Sequence, residues 1–338
     1  KPFISDEKII YTQNGNIYIY DLNLKKDIQI TSGKAYFSPP KLINNYLILP
    51  RANLFKIFFQ TYDPNYNYPP TQYIFNSKVV DGWNFISNIS NPMDDMGHGT
   101  HVAAIAAGNG KLKGVAPEAQ IYAYKVLNSR GGGYVDVVIQ AIEKATDLNG
   151  NKIPCENEND CVDIISISFG INCKGDYPVK YCSPDDSMSQ VIDSAVDAGV
   201  VAVIAAGNDG PYEKSIESPG TARKAITVGA SDKQDNVADF SSRGPIIWKD
   251  IKGVERYLVK PDVIAPGVDI CAAQSYMDQI WFSALDTNTY FAQDISCLDS
   301  EHNALPGTSM ATPHVAGAVA LIKQAHPDWT PEKIKTIL

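Results

Sequence analysis

From about residue 78 onward, short apolar runs of strand length alternate with stretches of helical period. "AQIYAYKVL", "VDIISISFG" and "VVAVIAAGN" are nearly continuous in apolar residues and rich in β-branched ones. That texture predicts strands buried on both faces of a parallel sheet. Between them, "YVDVVIQAIEKATD" and "MSQVIDSAVDAG" space their apolar residues three and four apart, as an amphipathic helix requires. "AITVGAS" and "DVIAPG" continue the strand pattern, and a long helical run follows Ser309, with "SPGTARK" and "SSRGP" as turn-rich connections. The expected class is α/β, with a mostly parallel sheet between layers of helices.

Residues 1–52 read differently. "KIIYTQNGNIYIYDLNLKKDIQITS" alternates apolar and polar positions around an Asn-Gly turn and a second turn at "LNLKK", which predicts an antiparallel meander. It resembles one blade of a β-propeller of the TolB kind. A single blade cannot bury its own faces, so it must dock on something or belong to a longer array. The expected division is a short antiparallel β segment at 1–52 and an α/β domain at 53–338. "KPFIS" carries no initiator Met and no apolar leader, and "PEKIKTIL" stops without a Gly or Asn cap, so a trimmed chain is expected, cut at its last helix.

Charge and cysteine placement narrow the class. A net charge of -9 argues against nucleic acid or an anionic membrane as partner, since both demand clustered Lys and Arg. No apolar run approaches the roughly 20 residues that span a bilayer. The six cysteines fall as neighbours around polar segments: Cys155 and Cys161, Cys173 and Cys182, Cys271 and Cys297. Such placement favours disulfides and an oxidising compartment over zinc, for which no C-x2-C spacing exists. The connectivity is open at this point.

Three stretches carry chemistry. His98 stands between glycines in "DDMGHGTHVAAIAAG", where a substrate backbone can approach its imidazole; a helix cap is the plainer reading, and His101 suits that reading better. Asn208 in "VIAAGNDGP" follows a small-residue strand end, where its amide can face a developing oxyanion, although Asn-Asp-Gly is a turn signal by itself. Ser309 in "LPGTSMATPHVAGAVALI" begins a helix, with Pro313 read inside the first turn, and either caps it or acts as a nucleophile favoured by the helix dipole.

Together these stretches point further than each does alone. "GHGTHVA", "AAGNDGP" and "GTSMATPHVAG", with "KGVAPEAQIYAYKVL", "SISFG", "FSSRGP" and "KPDVIAPG", resemble the subtilisin-like serine proteases, the subtilases, over about residues 78–338. The resemblance implies the three-layer subtilisin-like fold and a secreted, extracellular or cell-surface endopeptidase acting on peptides or proteins, with no cofactor for its chemistry, as a monomer. By position, His98 is then the general base, Ser309 the nucleophile, and Asn208 the side-chain donor of the oxyanion hole beside the Ser309 backbone N–H. Gly131, Gly132 and Gly133 resemble the edge strand that pairs with an extended peptide. Ser168, Phe169 and Gly170 resemble the opposite edge. Ala205, Ala206 and Gly207 would line the primary specificity pocket, whose breadth suggests tolerance of large apolar side chains.

The acid of the triad is missing from its expected place. If "KIFF" is the strand that should deliver it, Gln60 stands where the family has Asp, and the nearest carboxylate is Asp63. Asp94 and Asp95 look like the family's ordinary lead-in, solvent-facing or supporting. The rival expectation is therefore a catalytically impaired subtilase-like domain that binds peptides or serves a structural role. Structural calcium has a weaker basis: Asp147, Asn149, Asn151 and Glu158 occupy positions 1, 3, 5 and 12 of a loop, yet Lys152 sits where the turn glycine belongs, and a polar disulfide-closed loop is an equal reading.

Overall fold

A computed structural model describes residues 78–157, 160–171, 182–275 and 297–338 in full, and seven strands before residue 60 by their backbone. The chain divides into two compact units, Lys1–Leu54 and Phe55–Leu338. In the first, β1 (Phe3–Ser5), β2 (Lys8–Gln13), β3 (Asn16–Asp21) and β4 (Lys26–Gln29) form a four-stranded antiparallel sheet in sequential order. β2 and β3 pair from Lys8↔Asp21 to Gln13↔Asn16, the two strands that the antiparallel meander reading expected to be neighbours. A separate antiparallel pair joins β5 (Lys41–Ile43) to β6 (Tyr46–Ile48).

The second unit is built on a seven-stranded parallel sheet. Its strands are β7 (Lys56–Phe59), β8 (Val79–Asn84), β9 (Gln120–Lys125), β10 (Ile164–Ile167), β11 (Val201–Ala205), β12 (Ile226–Ser231) and β15 (Val263–Pro266). They lie in the order β15-β12-β11-β10-β7-β9-β8. Two antiparallel hairpins flank it, β13 (Ile246–Lys249) with β14 (Glu255–Leu258) and β16 (Ile270–Ala273) with β17 (His302–Leu305).

Helices cover both faces, and the strand residues show why. In β10, Ile164 joins one apolar cluster and Ile165 the other; in β11, Val203 and Ile204 divide the same way. Successive strand residues point to opposite faces, so a strand apolar at every position needs a helix layer on each side. On one face lie α1 (His98–Ala107) and α4 (Thr308–Ala325), contributing Val102, Ile105, Val315 and Val319. On the other lie α2 (Val135–Thr146) and α3 (Ser187–Asp197), contributing Ile142 and Ile192. A short α5 (Pro331–Ile337) starts with Thr330 accepting from the Lys333 N–H and Pro331 at its first position. The three-layer α/β expectation holds. Among the described residues no helix is long and apolar enough to cross a membrane.

The strand order also locates the site. Chain progression runs from β7 outward to β8 and back through β9, then crosses to β10 on the other side of β7. Where the order reverses in this way, loops leaving the carboxyl ends of neighbouring strands part and open a crevice. Ser168 follows β10 and Ala206 follows β11, at the carboxyl edge of adjacent strands.

Candidate active site

Ser309 lies in the first turn of α4, with its hydroxyl donating to the Ser168 carbonyl at 2.8 Å. The Ser168 hydroxyl returns the contact, donating to the Ser309 carbonyl at 2.9 Å. A helical carbonyl is normally taken by the N–H four residues on. That residue is Pro313, which has no N–H to give. The helix begins at Thr308, so Pro313 is its sixth residue rather than a member of the first turn as the sequence suggested. The freed Ser309 carbonyl is what the Ser168 hydroxyl satisfies, fastening the head of α4 to the end of β10.

Asn208 is held from the same helix. Its side-chain oxygen accepts from the Thr308 N–H at 2.9 Å and from the Thr308 hydroxyl at 3.1 Å. A backbone N–H can only donate, so the amide must present its oxygen to Thr308 and direct its NH2 group elsewhere. Asn208 is exposed, and Gly207 before it adopts φ 106°, the left-handed region that admits glycine freely. The chain bends at Asn208, and the bend carries an oriented amide. Thr308, fully buried, is a positioning residue that motif reading overlooked. Its only signal was its place beside Ser309.

His98 heads α1, directly after Gly97 at φ 97°. α1 and α4 pack against each other. Burial pushes the His98 imidazole below its ordinary pKa, and the charge of Asp94 opposes that shift. Asp94 is buried and fully engaged: it accepts from the N–H groups of Met96, Gly97 and Thr100 at 2.9, 2.7 and 2.7 Å, and from the Thr100 hydroxyl at 2.7 Å. It thus shapes the loop that delivers His98, a supporting role. Asp95 pairs with Lys125, whose side chain is almost wholly buried. The Ser309 hydroxyl is turned to the Ser168 carbonyl rather than to His98, whose imidazole has no hydrogen bond to another side chain among the described residues. Such catalytic contacts often close only around substrate.

His101 corrects the sequence reading. It does not cap a helix: its ring is buried and its Nε2 donates to the Asn303 carbonyl on β17 at 3.1 Å. A carbonyl partner fixes the Nε2–H tautomer. Burial, only partly offset by that carbonyl, holds the His101 pKa at about 4. Below an unfolded-chain value near 6.5, the unfolded state takes up a proton that the folded state excludes. Stability is therefore expected to fall as pH drops from about 6.5 to about 4, by about 3 kcal/mol in total, and to level off below. Urea unfolding at pH 7 and pH 4.5 checks this against His101→Gln, which should lose that component of the slope; equal slopes would refute it.

The predicted substrate segments meet the site unequally. Ser168, Phe169 and Gly170 continue irregularly beyond β10, and Ala205, Ala206 and Gly207 end β11 and lead into Asn208. These two segments face each other across residues 216–218: the Glu217 N–H donates to the Ala206 carbonyl at 2.9 Å, and the Ile171 N–H to the Ser218 carbonyl at 2.8 Å. Gly131, Gly132 and Gly133 do not form a strand. Asn128 draws them into a turn, its N–H donating to the Gly132 carbonyl at 2.8 Å and its side-chain oxygen accepting from the Arg130 and Gly132 N–H groups at 2.9 and 3.2 Å. An added Cβ on Gly131 would touch the Met96 side chain, so this turn adjoins the loop that leads to His98.

The triad acid is framed by backbone alone. β7 lies between β9 and β10 in parallel register, so "KIFF" does form an interior strand whose carboxyl end leads to Gln60. Gln60 and Asp63 themselves lie outside the described residues, as does Glu158 of the calcium set. The Asp147 carboxylate accepts from the N–H groups of Gly150, Asn151 and Lys152 at 2.8, 3.1 and 2.8 Å, which fits the disulfide-closed polar loop better than a cation. Among the described residues no cluster of three His, Cys, Asp or Glu side chains can hold a metal ion. Cys155–Cys161 and Cys271–Cys297 are disulfides, and Cys182 is disulfide-bonded; Cys173 lies outside the described residues.

The family model described as "Subtilase family" matches residues 51–338. Serine protease AprX of Bacillus subtilis (strain 168) is 36% identical over 276 residues, covering 77% of this chain and 56% of the relative. The chain thus spans little more than half the length of that relative. Subtilisin Savinase of Lederbergia lenta is 34% identical over 263 residues, covering 77% of this chain and 75% of the relative. Among solved structures, Sphericase superposes with a TM-score of 0.58 at 28% identity, covering 84% of this chain and 81% of that one. A cold-adapted subtilisin-like serine proteinase shares the fold, with a TM-score of 0.57 at 24% identity, covering 84% of this chain and 79% of that one.

Proposed function

The chain belongs to the subtilase family, and from that premise we propose that it is a secreted serine endopeptidase with Ser309 as nucleophile, His98 as general base and Asn208 in the oxyanion hole. The observation that supports this most directly is the Thr308–Asn208 contact, which turns the amide donor outward at the residue preceding Ser309. For attack, the Ser309 hydroxyl rotates from the Ser168 carbonyl towards His98. His98 takes the hydroxyl proton as Ser309 Oγ bonds to the scissile carbonyl carbon, whose π electrons move onto oxygen. That oxyanion receives hydrogen bonds from the Asn208 NH2 and the Ser309 N–H at the positive end of α4. Collapse expels the amine, which takes the proton from the His98 imidazolium, and leaves an acyl-enzyme on Ser309 that water hydrolyses in the mirror sequence.

The substrate is an extended peptide or protein segment, with its backbone along residues 168–170. The disulfides fit an extracellular or cell-surface setting. Nucleic acid, a membrane and a chemical cofactor have no part in this reading. A second reading, the impaired peptide-binding domain, draws on Gln60 at the end of β7. A fluorophosphonate probe separates the two. Labelling of Ser309, absent in Ser309→Ala, is expected of the protease, and a chain that neither labels nor hydrolyses casein above that control would be the impaired domain.

A further inference from the structure

Asp94 and Asp95 stand side by side in the loop that delivers His98, yet they face different partners. The hydrogen bonds of Asp94 stay within the loop and the first turn of α1, from the N–H groups of Met96, Gly97 and Thr100 and from the Thr100 hydroxyl. They set the shape of the loop and leave its place open. Asp95 reaches out of it, to the ammonium of Lys125 at the last residue of β9. Among the described residues, this pair is the hydrogen-bonded contact that joins residues 94–97 to a strand of the sheet. The strand is firmly held: β9 lies between β7 and β8, and the Lys125 carbonyl accepts from the Phe85 N–H at 2.9 Å. Its continuation meets the loop a second time, where Gly131 of the Asn128 turn faces the Met96 side chain. Exposure shows which partner is the anchor, since the Lys125 side chain is 4% exposed and that of Asp95 24%. The ammonium has no bulk water to turn to, so a loop that moves away strands a buried charge, which is costly.

We propose that Lys125 is a positioning residue for the general base: through Asp95 it fixes where the His98 loop stands relative to Ser309. The inference rests on the proposed protease reading for the role of His98. Asp95 lies three residues before His98, with Met96 and Gly97 between, so a displaced Asp95 carboxylate moves the imidazole with little chain to absorb the shift. Proton transfer from Ser309 needs the imidazole within hydrogen-bond reach, and misplacement by about 1 Å costs on the order of 10²-fold in rate. Stability alone does not call for an ion pair at this place, because well-packed apolar groups of similar volume serve as well. The charged pair adds a single preferred geometry, which an apolar contact lacks.

Turnover and stability, measured side by side, separate positioning from a merely structural role. Lys125→Met should lower kcat by about 10- to 100-fold with KM within a few-fold, and should lower the midpoint of thermal unfolding because Asp95 loses its partner. The double variant Lys125→Met/Asp95→Asn carries neither charge. It should regain the unfolding midpoint but not kcat, since nothing is stranded and the loop still lacks its tie. Recovery of kcat together with stability would show that the pair serves folding alone, and native kcat in Lys125→Met would overturn the proposal as directly. Where Lys125→Met fails to fold, the double variant carries the comparison. Hydrogen exchange adds a readout that needs no activity: the amides of residues 95–98 should exchange about 10-fold faster in the double variant, with those of β9 and α4 unchanged. In a chain that neither labels with a fluorophosphonate nor hydrolyses casein, that pattern upholds the positioning of the loop and removes the protease reading instead. Unchanged exchange at residues 95–98 overturns the proposal in either case.

Discussion

Ser309→Ala is expected to abolish peptide hydrolysis, lowering kcat by a factor on the order of 10⁶, a magnitude carried over from subtilisin itself. His98→Ala should cost nearly as much, and the double variant hardly more, because a nucleophile and its base act as a unit. KM should move little, since neither side chain holds the peptide backbone. The pH profile adds a readout that structural damage would not mimic. His98 works as a base only when neutral, and burial holds its pKa below 6.5. The acid limb of kcat/KM should then fall below pH 6.5, with activity present above it and lost as the imidazole takes a proton. A carboxylate facing His98 would stabilise the imidazolium and move that limb upward. The limb thus reports on the triad acid: a midpoint below 6.5 accords with Gln60 at the end of β7, and one near 7 or above means that Asp63 or another carboxylate reaches His98. Full turnover by Ser309→Ala would remove the nucleophile assignment altogether.

What the sequence disclosed, and what it hid, divides along sequence distance. The two-sided burial of β10 and β11 was readable because each strand is apolar at every position, a local property. His98, Asn208 and Ser309 were picked out through short motifs that resemble the family's, and the roles proposed for them rest on that resemblance. The roles of Pro313, Thr308, His101 and Glu217 were not. Pro313 matters for a carbonyl it leaves free and for a serine 145 positions earlier, at Ser168. Thr308 matters for an amide 100 positions away. His101 looked like a cap because its local context is a helix start, whereas its partner is a carbonyl on β17, 202 residues on. Glu217 lies in "SIESPG", a turn-like sequence, and its place is set by packing against Gly170 and Gly207, in the loops that follow two separate strands. Gly131–Gly133 erred in the opposite direction: the family's edge strand was expected, and the Asn128 side chain closes a turn there.

Asn208 is the residue whose replacement best distinguishes catalysis from binding. Asn208→Ala removes the NH2 donor and also leaves the Thr308 N–H and hydroxyl without their acceptor. Asn208→Asp keeps an oxygen for Thr308 but replaces the donor with a carboxylate, which accepts only and repels an oxyanion. Both variants should lower kcat by about 10²- to 10³-fold, a size established on subtilisin itself for its oxyanion-hole asparagine, with KM changed only a few-fold. The donor is needed where charge develops, so its loss falls on the transition state and spares the ground state. Asn208→Asp should be the more damaging at neutral pH, because its carboxylate meets the developing oxyanion with a charge of the same sign. Fluorophosphonate labelling should slow in parallel, since that probe also builds negative charge on an oxygen in the hole. An Asn208→Asp enzyme with native kcat would show that the outward amide does not meet the oxyanion. An effect confined to KM would assign Asn208 to substrate binding alone.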